Sequence, residues 1–144
     1  MYGKTGSMKN CVFCQISRNQ IKDPYRIIYS DKKYLAMLVL HPQTRGHFIV
    51  FPKSHFSNIK ELENKEQFFR LVIKLAEEKT KRMRAPAYVL KLNNNVYLLD
   101  KDTMHVGHIH AHVIPMYSKE DLKRKPKQIP KKELSNIKKA LISR

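Results

Sequence analysis

The stretch His108-Ile109-His110-Ala111-His112-Val113-Ile114-Pro115 alternates histidine with apolar residues on a period of two. A β-strand turns successive side chains to opposite faces, so this spacing predicts a strand over Gly107 to Pro115. It sets three imidazoles on one face and Ile109, Ala111 and Val113 in the core. Three of the chain's seven histidines fall within these few positions, where a solvated strand would more usually carry threonine, lysine or glutamate. At the rise of a strand the backbones of the first and third histidines stand roughly 13 Å apart, whereas an imidazole ligand sits about 2 Å from zinc. One ion cannot readily take all three. Two neighbours can share a metal, which leaves at least one histidine for other work. Neutral imidazole carries a lone pair near pH 7, and a hydrogen bond from Nδ1 to a backbone carbonyl would aim Nε2 at a substrate. Flanking histidines that donate to phosphoryl oxygens would complete a phosphorus-transfer site in outline.

Upstream of this strand the pattern is that of a small sheet with one long helix. Arg26 to Ser30 and Tyr34 to Leu40 are rich in β-branched and aromatic residues around the turn-like Ser30-Asp31-Lys32-Lys33, which predicts a hairpin. His47 to Phe51 is the next expected strand, stopped at Pro52 because proline has no N–H to give a ladder. Phe68, Leu71, Val72, Leu75 and Ala76 recur at helical spacing and predict an amphipathic helix from Glu66 to about Met83, ended before Pro86. Tyr88 to Leu92 is expected as a strand, followed by a polar loop from Asn93 to about Met104, and Lys131 to Ser143 as a short final helix. The basic stretch from Lys119 to Lys132, with two prolines, is expected to wrap the surface as an extended arm. Strands interrupted by one long helix, with short connections, point to an α+β fold: an antiparallel meander of about five strands with one long helix and a short C-terminal helix.

A length of 144 residues suits one compact domain, and 42% hydrophobic residues suffice for a core, so disorder throughout is excluded. No apolar run is long enough to span a membrane and no secretion signal opens the chain, so the expected location is cytoplasmic. Residues 1–9 are expected to be a flexible N-terminus or tag remnant, Met8 offering an alternative start. Twenty-nine Lys and Arg against 12 Asp and Glu give a formal net charge of +17, which favours anionic partners such as phosphates or nucleic acid. The abundance of Lys, Asn and Ile offers compositional drift as an equal explanation of that charge. Cys11 and Cys14 are the only cysteines; in a reducing compartment a metal or redox role suits them better than a disulfide.

His108 to Ile114 resembles the signature of the histidine triad family: three histidines separated and followed by apolar residues. Asn10-Cys11-Val12-Phe13-Cys14-Gln15-Ile16 looks like the zinc-binding opening of bacterial members, and Gly46-His47-Phe48-Ile49-Val50-Phe51-Pro52-Lys53-Ser54-His55 resembles the family's second segment. These anchors stand in the family's order over most of residues 10 to 117. The resemblance implies a histidine triad domain over 10–118 followed by a basic arm and helix over 119–144. It implies His110 as the nucleophile, forming a covalent nucleotidyl-histidine that water releases. His112 would orient or polarise the phosphoryl group, and His47 would support the network from the neighbouring strand. It further implies a structural zinc on Cys11, Cys14, His55 and His108, and a homodimer. Related transferases typically end the triad in glutamine, so His112 favours hydrolysis of a phosphoramidate, phosphoanhydride or dinucleoside polyphosphate.

The chain departs from the family pattern at several positions. Val39 stands where members commonly carry an acid for the ribose hydroxyls, and valine cannot accept those bonds. Thr103-Met104 replaces the usual glycine-glutamine pair, and His105 replaces a small hydroxyl residue in a loop a few residues longer than usual. Asn93, Asn94 and Asn95 begin that loop; Asn93, Asn95 and His105 are taken as candidate substrate contacts. The substrate is therefore expected to differ from an ordinary purine mononucleotide derivative. The charge keeps a second function in view: a module that holds nucleotide or nucleic acid without turnover, with salt-sensitive affinity.

Overall fold

The computed structural model describes residues 11–20, 22–99 and 107–142. In chain order the regular elements are helix α1 (Val12–Ser17), strands β1 (Ile27–Ser30), β2 (Tyr34–Leu38) and β3 (Phe48–Pro52), helix α2 (Lys65–Arg82), strand β4 (Ala87–Leu92), a 3-10 turn at Val96–Leu98, strand β5 (Ala111–Met116), a 3-10 turn at Lys119–Lys123, and helix α3 (Lys131–Ile142). The strands form one antiparallel sheet in the order β1-β2-β3-β5-β4. The expected α+β architecture is therefore the one observed, with α1 as an addition.

The first strand connection has a local cause. Asp31 turns the first hairpin, its Oδ1 accepting from the backbone N–H of Lys33 at 2.8 Å and of Tyr34 at 2.7 Å. The central strands β2 and β3 are buried along their whole length, which explains why they read as unbroken apolar runs. Helix α2 presents Phe68, Val72, Leu75 and Ala76 to the sheet, each at most 2% exposed. At about 1.5–3 kcal/mol for each large side chain, this stripe holds the helix in place. The helix ends at Arg82, and Arg84 turns left-handed two residues ahead of Pro86.

The sheet separates two apolar layers. On one face Ile109, Ala111 and Val113 join Phe48, Val50 and Leu38 beneath α2 and α3. On the other, Leu35, Met37, Ile49 and Phe51 are covered by α1 through Phe13, Cys14 and Ile16. The C-terminal helix belongs to the main core, since Leu134, Ile137 and Leu141 are at most 1% exposed. Ahead of it only 124–130 runs without regular structure, because Lys119–Lys123 winds into a 3-10 turn closed by a capping box between Ser118 and Asp121.

The strand expected over Gly107 to Pro115 begins only at Ala111 and continues to Met116. The pairing explains the late start. The register of β3 and β5 runs Phe48 to Val113, Ile49 to His112 and Val50 to Ala111, so the next positions would face Phe51 and Pro52. Pro52 lies inside β3, opposite Tyr34. It has no N–H for β5, and the His108 ring occupies its carbonyl at 2.7 Å. Gly107 to His110 leaves the ladder, with Ile109 N–H donating to Phe56 C=O at 2.7 Å instead. The alternation of facing nonetheless persists, since Ile109 still enters the helix-side core.

Candidate active site and metal centre

Two clusters of polar side chains lie on the face covered by α1, and both draw on the His108–His112 segment. The first gathers Cys11, Cys14, His55 and His108, whose ligand atoms all lie within 4.8 Å of one another. Cys11 caps α1, its Sγ accepting from the Cys14 N–H at 3.5 Å, so the two thiols share one side of the helix start. The chain leaving β3 brings in His55, with Nδ1 3.2 Å from Cys14 Sγ and 3.2 Å from His108 Nδ1. His108 Nδ1 lies 3.4 Å from Cys11 Sγ and 3.5 Å from Cys14 Sγ. A tetrahedral zinc would set edges of about 3.3 Å between two nitrogens and about 3.6 Å between nitrogen and sulfur. The four spacings just given match within a few tenths of an ångström.

The chemistry of the donors agrees with that geometry. A carbonyl can only accept, so His108 Nε2 carries the proton on Pro52 C=O and its Nδ1 lone pair faces the cluster. Ser57 Oγ, 3.4 Å from His55 Nε2, can hold that ring in the same tautomer. Burial pushes His108 down to about 3, so it stays neutral, as a ligand must. Burial and the neighbouring Cys11 thiol push the Cys14 thiol up to about 12 in the metal-free chain. A dication reverses that preference and releases the thiol proton on binding. These four residues fit a structural zinc that ties α1 to the end of β3 and to the histidine segment.

The second cluster is His47, His110 and His112. Gly46 delivers His47 to it: Gly46 sits at φ +90°, and a Cβ there would meet Met83 Cγ at 3.2 Å. Two backbone groups and one ring-to-ring contact set the tautomers of the three rings. The Gln43 N–H can only donate, so His47 Nδ1 accepts it at 3.0 Å and the proton sits on His47 Nε2. That proton is donated to His112 Nδ1 at 2.9 Å, which leaves the neutral His112 ring protonated on Nε2. The His108 carbonyl accepts from His110 Nδ1 at 2.8 Å, placing the His110 lone pair on Nε2. Burial, aided by the Lys91 ammonium, pushes His47 down to about 4 and keeps it neutral.

These rings open into a cavity of about 480 Å³. Phe13, Val39, Leu40 and Ile49 supply its apolar wall, and Lys91 and Asn93 stand at the end of β4. Phe13 meets the His110 ring edge-on at 5.0 Å and stacks on Phe51 at 4.5 Å, so α1 braces the imidazole as well as covering the sheet. Lys91 pairs with His112 in the register of β4 and β5 and brings a cation beside the histidines. An apolar slot ending in cations and imidazole groups suits a flat ring attached to a phosphate.

Of the candidate substrate contacts, Asn93 lines the cavity, whereas Asn95 takes a left-handed conformation ahead of the 3-10 turn and is not among the lining residues. Asn94 is used structurally, its Oδ1 accepting from the Ile59 N–H at 2.8 Å. Thr103, Met104, His105 and residues 1–9 lie outside the described residues. Lys91, Arg26, His41 and Pro126 also line the cavity and were not singled out from sequence. Lys91 becomes legible once the β4–β5 register is known; the other three reach the cavity through tertiary packing.

Residues 20–119 match the HIT domain. Among curated relatives, the protein named hit of Bacillus subtilis is 36% identical over 115 residues, covering 78% of this chain and 75% of that protein. An adenosine 5'-monophosphoramidase of Schizosaccharomyces pombe is 29% identical over 111 residues, 77% of each chain. Among solved structures, a Zn-bound histidine triad family protein of Mycobacterium smegmatis superposes with a TM-score of 0.70 at 25% identity, covering 92% of this chain and 94% of that one.

Proposed function

This chain belongs to the HIT domain family, which includes hydrolases, and on that premise we propose that it hydrolyses a nucleotidyl linkage through a covalent intermediate on His110. The observation that carries this reading is the tautomer set by the backbone: His110 Nδ1 donates to His108 C=O, so the lone pair sits on Nε2 of a ring that lines the cavity. In the first step Nε2 attacks phosphorus, an N–P bond forms, and the bond to the leaving group breaks. The leaving group departs with the bonding electrons and takes a proton from solvent. Water then attacks the phosphorus, the N–P electrons return to Nε2, and the water's proton is released. The products are a nucleoside monophosphate and the protonated leaving group. His112 Nε2–H, held outward by His47, and the Lys91 ammonium would stabilise charge developing on the phosphoryl oxygens. Zinc on Cys11, Cys14, His55 and His108 would supply folding energy rather than chemistry.

The test compares wild type with His110→Ala on an adenosine phosphoramidate and on a dinucleoside polyphosphate. Loss of turnover by at least about a thousandfold is expected, because nothing else in the triad can form the N–P bond. Acid quenching during turnover should leave nucleotide label on the wild-type chain alone. Unchanged turnover in the variant would reject the assignment. A homodimer is part of the same proposal: β4 is an edge strand paired only with β5 among the described residues, with Leu90 43% exposed.

A further inference from the structure

A second cavity, about 540 Å³, abuts the catalytic one. Gln43 lines both, and the C-terminal arm divides them, since Pro126 lines the catalytic cavity while Lys125 and Lys127 line the second. The arm is tied down at this point: Lys127 N–H donates to Pro42 C=O at 3.1 Å, and Gln43 Nε2 donates to Asp121 C=O at 2.8 Å. Four cationic side chains, Arg45, Arg124, Lys125 and Lys127, border the second cavity together with two acids, Asp121 and Glu133. Asp121 is ion-paired with one of these cations, Arg124, which leaves Arg45, Lys125 and Lys127 against Glu133. Asp121 Oδ2 accepts from the Tyr117 and Ser118 N–H groups at 2.7 and 3.1 Å, and its Oδ1 accepts from Arg124 Nε at 3.0 Å. The surplus therefore favours an anion.

The wall between the two cavities indicates where such an anion would come from. Val39, Leu40 and His41 line the catalytic cavity, Pro42 lines the second, and Gln43 belongs to both. In the proposed function the phosphorus undergoing attack lies at His110, and the sugar lies along the Val39 side, where valine gives its hydroxyls no acceptor. In that pose a substituent on the Val39 side of the sugar would have Pro42 and the second cavity's cations as its next neighbours along the wall.

We propose that the second cavity binds a second phosphate carried on the ribose, so that the preferred ligand is a nucleoside bisphosphate or a derivative of one rather than a simple 5'-monophosphate. This rests on the proposed function for the pose, but its test needs no turnover. Binding of AMP, ADP, adenosine 2',5'-bisphosphate and adenosine 3',5'-bisphosphate is measured by calorimetry on the full chain and on a Lys125→Glu/Lys127→Glu variant. Exposed cation–phosphate contacts are individually weak, so about a tenfold preference for one bisphosphate over AMP is expected in wild type, falling to about one in the variant. A preference that ADP reproduces would place the second phosphate on the 5' chain and overturn the proposal. Equal binding of AMP and both bisphosphates would also overturn it while leaving the hydrolase reading intact; failure of every nucleotide to bind would overturn both. Circular dichroism of the variant should match wild type, because both substituted positions are solvent-exposed.

Discussion

Acid should loosen this protein through His47, by an amount that can be worked out. His47 is pushed down to about 4 by burial and by Lys91, against an ordinary value of 6.5. Its neutral form accepts from the Gln43 N–H and donates to His112, and protonation would break the first contact by placing a second N–H opposite a donor. Because the unfolded chain binds the proton more readily, this contribution is fully present above the unfolded pKa and is lost as pH falls toward the folded one. Between about pH 8 and about pH 5 the loss comes to about 2 kcal/mol. The metal cluster is also acid-sensitive, since its thiols regain protons, so wild type alone cannot isolate the histidine. A His47→Gln variant can: the amide retains one acceptor and one donor but does not titrate. Denaturant unfolding of both proteins at the two pH values, with zinc in excess, should show the wild type losing about 2 kcal/mol more than the variant. Parallel losses would refute the assignment of a neutral, buried His47.

Three further outcomes follow from the same geometry. Chelation should lower the melting temperature by on the order of 10 °C, and cobalt added to the apo-protein should show thiolate-to-metal absorption that Cys14→Ser removes. Gly46→Ala should cost at least about 1–2 kcal/mol, because the residue sits at φ +90° and its Cβ would crowd Met83 at 3.2 Å; a melting curve reads this directly. Light scattering should give twice the chain mass, and Leu90→Lys on the exposed edge strand should shift the mass toward the monomer.

Periodicity made the sheet and the long helix legible. The helix predicted from Glu66 to Met83 occupies Lys65–Arg82, and the hairpin strands end within two residues of their expected limits. Helix α1 was harder to see because Val12–Ser17 is only six residues long, too short for a periodic pattern to emerge. Its stability comes from Phe13, Cys14 and Ile16 against the sheet rather than from helix propensity. The extent of β5 was overread for a similar reason. Alternation in sequence reports which side a residue faces, but ladder pairing depends on the partner, and Pro52 ends it. Lys91 and Pro126 could not be found by pattern at all, since one depends on strand register and the other on where a distant arm crosses the sheet.

His108 shows why the two clusters should be considered as one unit. Its ring Nδ1 faces Cys11, Cys14 and His55, its Nε2 proton is held by Pro52 C=O, and its own carbonyl accepts from His110 Nδ1. The ring contacts therefore fix the backbone that aims the proposed nucleophile. Release of the segment from the β-ladder makes this possible, because a paired His108 carbonyl would be committed to a neighbouring strand. The irregular backbone from Gly107 to His110 is thus the feature that lets one histidine serve the metal cluster with its side chain and the triad with its main chain.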